Sequence, residues 1–264
     1  MAFYLDVFRY SELFTNLFRR ELDAKYKGTV LGLGWTLINP LVLMGVYTLV
    51  FSVLWRATSI RHYPLFILSG LAVWIFFQSS LQMASLSLLG RANLVKQVRF
   101  PRQLLPLAVV GANLVTYVVM LVIVGTLNLI FVPASRGTIW AVLPLSLPLI
   151  ALTSGLAIGL AAVTVIFRDV EHLITTILLP WFFITPVFYE LRELPGLSGH
   201  PLLGDFVHWG NFVTPVLESI RGPLFYGQFA GTADVVYAVV VGILALAGGA
   251  FLFSRIDDQL AVRL

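Results

Sequence analysis

The sequence predicts an all-α integral membrane protein: six transmembrane helices, preceded by an N-terminal amphipathic interface helix, with re-entrant helices before the last span. Three observations carry that reading. Hydrophobic residues make up 59% of the 264 positions, charged residues 11%, and the mean hydropathy is +0.92, whereas soluble domains run at about 45–50% apolar and about 25% charged. Residues 33–55 form an apolar run without a charged side chain, and roughly 20 such residues at about 1.5 Å each cross a hydrocarbon core of about 30 Å. Further runs of this kind recur and are continuous rather than alternating, which in lipid favours helices over barrel strands.

Residues 1–32 comprise the interface helix and its turn into the membrane. Tyr10, Phe14, Leu17, Phe18 and Leu22 recur at helical spacing, while Arg9, Glu12, Asn16, Arg19, Arg20 and Asp23 take the opposite face. Such a helix lies in the membrane interface with its cations toward headgroups, or docks as a soluble helix on a partner. Because the apolar run that follows is long and comes after a charged segment, it reads as a retained first span rather than a secretory signal. The membrane domain is expected over 33–254, with spans at 33–55, 64–89, 104–132, 139–167, 173–189 and 234–254. Pro144 and Pro148 interrupt the fourth span, Pro180 and Pro186 the short fifth. Residues 255–264 form a tail. With the N-terminus inside, Arg9, Arg19, Arg20, Lys25, Lys27, Arg91, Lys96, Arg99, Arg102, Arg168, Arg255 and Arg263 are cytoplasmic, and only Arg56, Arg61, Arg136, Arg192 and Arg221 are outside. That bias predicts both termini in the cytoplasm.

Three segments lie outside the spans. The loop at 90–103 carries Arg91, Lys96, Arg99 and Arg102, with Val95, Val98 and Phe100 interleaved and Pro101 ending any helix. It reads as a short helix for a groove on a soluble partner, or as an ordinary positive-inside loop. FRDVEH at 167–172 closes the fourth span on the same face. Residues 190–233 are too long for a plain connection. Their leucines, aromatics and four prolines, Pro195, Pro201, Pro215 and Pro223, predict two short helices dipping into the outer leaflet, near 206–209 and 214–221.

The chemistry present is limited. No acidic residue occurs between Asp23 and Asp169, so the first four spans offer no carboxylate for ion coupling. The lysines Lys25, Lys27 and Lys96 stand in no phosphate-binding loop, and cysteine is absent. His62, His172, His200 and His208 lack metal-ligand spacing, so neither a metal site nor a catalytic residue is assigned. Aromatic residues are abundant; they belong either to interfacial belts and packing or to a lining on which sugar rings stack.

Taken together, KYKGTVLGLGWTLINPLVLMGVYTLVFSVLW at 25–55, NLVKQVRFPRQLLP at 93–106, FRDVEH at 167–172, TPVFY at 185–189 and NFVTPVLESIR at 211–221 resemble permease subunits of type-2 ATP-binding-cassette exporters for cell-surface polysaccharides. That group handles O-antigen, capsule, teichoic acid and galactan precursors. The resemblance implies a bacterial cytoplasmic membrane protein that is not itself an enzyme. Its implied partners are a second copy of the chain as a homodimer, two copies of an ATPase subunit that binds ATP and Mg, the membrane and a lipid-linked glycan, with no nucleic acid. On that pattern Arg19, Arg20, Lys25 and Lys27 would draw in the pyrophosphate headgroup, and Tyr47, Phe51, Trp74, Phe77, Trp181 and Phe188 would line the channel. Asn93, Lys96, Arg99, Phe100, Arg102, Arg168 and Asp169 would couple to the ATPase, and Phe206, Trp209, Pro215, Glu218 and Arg221 would form the outer gate. Asn211 and Pro215 stand apart where the family often has adjacent Asn-Pro. A type-2 exporter of a drug or lipid, or a membrane-embedded transferase using Asp169, Glu171 and His172, are the alternative classes.

Overall fold

The computed structural model describes residues 9–27, 32–54, 60–97, 100–191 and 201–263. Expectations that fall on 1–8, 28–31, 55–59, 98–99, 192–200 and 264, including those for Trp55, Val98 and Arg99, lie outside the described residues. The elements in order are α1 (Ser11–Tyr26), α2 (Trp35–Tyr47), α3 (Tyr63–Ser85), α4 (Ala92–Gln97), α5 (Leu104–Phe131), α6 (Val142–Ile166), α7 (Val170–Ile184), α8 (Pro201–Asp205), α9 (Val213–Arg221) and α10 (Thr232–Arg263). No strand occurs among the described residues. Wider π-helical turns extend α2 over Thr48–Leu54, α8 over Phe206–Gly210 and α9 over Gly222–Tyr226.

Among the described residues, five helical stretches are long and apolar enough to cross a membrane: Leu37–Leu54, Tyr63–Ser85, Leu104–Phe131, Ile139–Ile166 and Thr232–Asp257. The segment expected as a fifth span at 173–189 is different. Helix α7 has 15 residues, about 22 Å at about 1.5 Å per residue. It stops at Ile184 because Pro186 disfavours helical backbone at Thr185, which is extended at φ −79 and ψ 133. The chain bends over 185–189, and the Tyr189 hydroxyl donates to the carbonyls of Phe183 and Ile184 at 3.2 and 2.7 Å. Helix α10 also departs from expectation, since it continues through the predicted tail to Arg263.

Helix α3 is the central element, buried over most of its surface between α5, α6, α7 and α9. Its Phe66, Leu71, Trp74 and Phe77 sit in the larger apolar core with Tyr117, Leu149, Phe182 and Leu217. A second core at the α4 end joins Leu17 of α1, Leu88 and Val95 of the loop region, Leu104 and Ala108 of α5, Ala161 of α6 and Phe253 of α10. The apolar face of α1 therefore packs largely on its own chain. Phe18 and Phe14 lie over Gly111, where an added Cβ would meet Phe18 at 3.2 Å.

Helices α6 and α10 form the most extensive pair. Backbones touch there: a Cβ at Gly155 would fall 2.2 Å from the Ala245 carbonyl, and one at Gly249 2.1 Å from the Gly155 oxygen. Gly155 and Gly159 are spaced as in small-residue helix seams of membranes. Outward faces stay apolar, with Leu41, Val42, Val46 and Leu49 exposed on α2, Val122 and Ile130 on α5, and Val236, Ile243 and Leu244 on α10. Such faces match lipid or another apolar surface.

Candidate functional site

The six aromatics singled out in the sequence come together in one assembly. Tyr47 and Phe51 of α2 each lie 5.2 Å from Phe188 in the turn after α7, and Tyr47 lies 5.9 Å from Phe182. Trp74 links to Phe182 at 5.6 Å and to Phe77 at 5.7 Å; Trp181 then meets Phe77 at 5.4 Å and Phe212 at 4.9 Å. Between α2, α3 and α7 this assembly leaves a cavity of about 230 Å³ lined by Asn39, Tyr47, Trp74, Gln78, Ser79 and Phe182 among others. Its wall mixes aromatic faces with amide and hydroxyl groups, the combination that receives a polar ring with apolar faces. The Trp74 indole N–H donates to the Gln78 side-chain oxygen at 2.6 Å, fixing both groups at the wall. Phe77 and Phe188, unlike Tyr47 and Trp74, do not line this cavity. Trp181 braces the outer segment, its N–H donating to Asn211 Oδ1 at 2.8 Å while Asn211 Nδ2 donates to Thr185 Oγ1 at 2.9 Å.

At the α9 end the gate residues divide. Arg221 is 1% exposed. Its guanidinium donates to the carbonyls of Pro186 and Val187 at 2.7 and 2.8 Å and to Glu218 Oε1 at 2.9 Å, and it lies 4.1 Å from the Phe66 ring centre. The arginine counted on the outer side and assigned to the outer gate is thus an interior strut. Its acceptors are mostly carbonyls, which carry no side-chain signature. Pro215 is buried in the first turn of α9, while Phe206 and Trp209 are exposed. Beside Glu218 a polar cavity of about 310 Å³ is lined by Glu190, His208, Tyr226, Gln228 and Asp234 as well. His208 Nε2 meets Asp234 Oδ1 at 2.7 Å, and the Tyr226 hydroxyl donates to Glu190.

The basic residues also separate. Arg19 and Arg20 on α1, and Lys27 just beyond its end, are exposed. Lys25 is half-buried against α5 and donates to Asn113 Oδ1 at 2.9 Å and Thr116 Oγ1 at 2.8 Å. Burial without an anionic partner lowers its pKa to about 8. On the α4 loop, Asn93 and Lys96 are exposed, but Val95 is buried and Phe100 packs on the second core, so the loop's apolar side faces its own chain. Arg102 is half-buried and donates to the backbone oxygen of Asp257 at 2.6 Å and to its carboxylate at 3.1 Å. Arg168 and Asp169 are exposed at the α6–α7 turn.

Several participants escape the sequence reading. Asn39 is the single amide of its apolar run and Gln78 one of two in the next, a signal that was available. Asn211 stands in a recognised stretch without an assigned role. Glu21 and Asp257 become visible only through the cations they meet.

Fold and site together define a polytopic helical membrane protein with a polar and aromatic cavity inside the bundle. Residues 12–225 match the ABC-2 type transporter family, and the chain belongs to that family. It is similar to the O-antigen export system permease protein RfbA of Myxococcus xanthus, with 37% identity over 201 residues, covering 75% of this chain and 76% of that one. The protein of the same description from Klebsiella pneumoniae is 26% identical over 204 residues, covering 75% of this chain and 78% of its own.

Proposed function

We propose that the chain is the membrane subunit of an ATP-driven exporter that moves a lipid-linked cell-surface polysaccharide to the outer face of the bacterial cytoplasmic membrane. The observation that carries this reading is the 37% identity to the Myxococcus O-antigen permease across three quarters of both chains. Family membership implies a separate ATPase partner and a membrane setting. In the finer proposal, two copies of the chain pair with two ATPase subunits, ATP and Mg are bound by the latter, and both termini face the cytoplasm. Helix α7 with the turn at 185–189 completes a sixth crossing.

The site residues take their roles from this arrangement. Arg19, Arg20 and Lys27 present exposed charge to a pyrophosphate headgroup, with Lys25 of α1 set deeper against α5. Asn93 and Lys96 face the ATPase. Sugar rings pass Tyr47 and Trp74, whose polar neighbours Asn39 and Gln78 exchange hydrogen bonds with hydroxyls. Affinity purification from the native membrane in mild detergent is the test. A protein with a phosphate-binding loop should co-purify in equal amount, and lipid-linked glycan should stimulate its ATP hydrolysis. A clean homo-oligomer without an ATPase would defeat the exporter reading; stimulation by a drug or free lipid alone would replace the substrate.

A further inference from the structure

We infer that Arg221 and Tyr63 are positioning residues for the cavity between α2, α3 and α7: they fix the turn after α7, the turn fixes Phe188, and Phe188 seats the rings of the cavity wall. The part of this inference that concerns glycan rests on the exporter reading.

The turn is held residue by residue. Asn211 Nδ2 donates to Thr185 Oγ1 at 2.9 Å, the Arg221 guanidinium to the Pro186 and Val187 carbonyls at 2.7 and 2.8 Å, and the Tyr63 hydroxyl to the Phe188 carbonyl at 2.6 Å. Arginine suits the middle pair because its planar fork presents two nitrogens at once, whereas a lysine nitrogen is a single point. Pro186 and Val187 are buried, so loss of the donor would leave acceptors that water does not reach. Phe66 joins the two donors, with the Arg221 guanidinium 4.1 Å from its ring centre and the Tyr63 ring 6.0 Å away.

Phe188 stands behind the wall. Its ring lies 5.2 Å from Tyr47, nearly parallel at 4°, and 5.6 Å from Phe182, and both of those residues line the cavity. It also lies 5.2 Å from Phe51. These contacts matter most to α2 and its extension, which are otherwise little covered there: over 47–54, Tyr47 and Phe51 pack on the core while Leu49, Val53 and Leu54 are exposed. A displaced Phe188 would loosen the seat of this half of the first span, and Tyr47 would shift with it. The cavity would then lose its shape without the loss of any group that lines it.

Arg221→Lys, Tyr63→Phe and Phe188→Leu each leave the lining side chains intact. The chain contains no cysteine, so labels can be introduced at exposed Val53, and at exposed Ile243 on α10, a helix packed chiefly on α6. In the reconstituted permease–ATPase complex, with labelled copies diluted by unlabelled ones, the 53–243 distance should be narrowly distributed in the wild type and broader in each variant. Once Phe188→Leu is present, neither Arg221→Lys nor Tyr63→Phe should broaden it further, because all three act through one contact. A distribution in Phe188→Leu as narrow as in the wild type overturns the inference, and so do additive effects. Where Arg221→Lys does not fold, Tyr63→Phe, which removes one hydroxyl, carries the comparison. Each variant should also raise several-fold the concentration of lipid-linked glycan that half-saturates ATP hydrolysis, with a smaller change in the maximal rate. Broadened distances with that concentration unchanged overturn the role in substrate binding. If glycan stimulates no hydrolysis in the wild type, the exporter reading fails, and the distances still decide the positioning.

Discussion

Gly70 shows how little tolerance the interior has at a single position. A Cβ there would lie 2.3 Å from Arg221 Nη2 and 2.7 Å from the Val187 carbonyl, so the guanidinium and the turn it holds occupy the space a side chain would need. Gly70→Ala should destabilise the purified protein by about 1–3 kcal/mol, the usual range for forcing one extra carbon into a packed core. The loss is read as a lower midpoint in a thermal melt in detergent, and an unchanged midpoint would mean that Arg221 relocates freely. Lys25 gives a pH-dependent counterpart. Its pKa is lowered from the usual lysine value to about 8 by burial, so the folded state binds fewer protons than the unfolded state between those limits. The cost of burying its charge is present in full below about pH 8 and is relieved as pH rises toward the unfolded lysine value of about 10.4. Lys25→Met should flatten the rise in melting midpoint between the two limits. An equal rise in variant and wild type would assign the effect elsewhere. Neither feature is legible from residue type: a glycine in an apolar run and a lysine before a span look ordinary until their neighbours are known.

Among elements, the α6–α10 seam depends most on shape. Contact of Gly155 with the Ala245 backbone leaves no room for a branched side chain, and in lipid such close packing, rather than hydrophobic transfer, holds helices together. Gly155→Leu should lower the yield of folded protein sharply, whereas Ile243→Leu on the exposed face of α10 should not; size-exclusion profiles after solubilisation separate the two. That the chain is built of long apolar helices is readable because apolar run length is a direct physical requirement of the bilayer. Where α7 ends was less readable. A proline pair in a marginal apolar run allows either a kinked crossing or a stop, and the hydrogen bonds of Tyr189 to Phe183 and Ile184 that accompany the stop are local geometry. The two faces of α1 were visible in its periodicity, but nothing in α1 itself says that Gly111 of α5 makes the seat for Phe18.

On the scale of the whole molecule, the aromatic assembly illustrates what a sequence can and cannot assign. Tyr47, Trp74 and Trp181 stood out because large rings in apolar runs are easy to see, yet their division into cavity wall and brace depends on Gln78 and Asn211, which anchor the indole nitrogens. The Arg221 network has a further consequence, in the order of synthesis. Phe66, Gly70, Pro186, Val187 and Glu218 all precede Arg221 in the chain, so each group that receives the guanidinium has left the ribosome before the arginine does. The seam of α6 is the opposite case: Gly155 waits for Ala245 and Gly249, nearly a hundred residues downstream by sequence number. A nascent chain halted just before α10 would hold every ligand of its buried arginine and still lack the helix that covers Gly155 of α6.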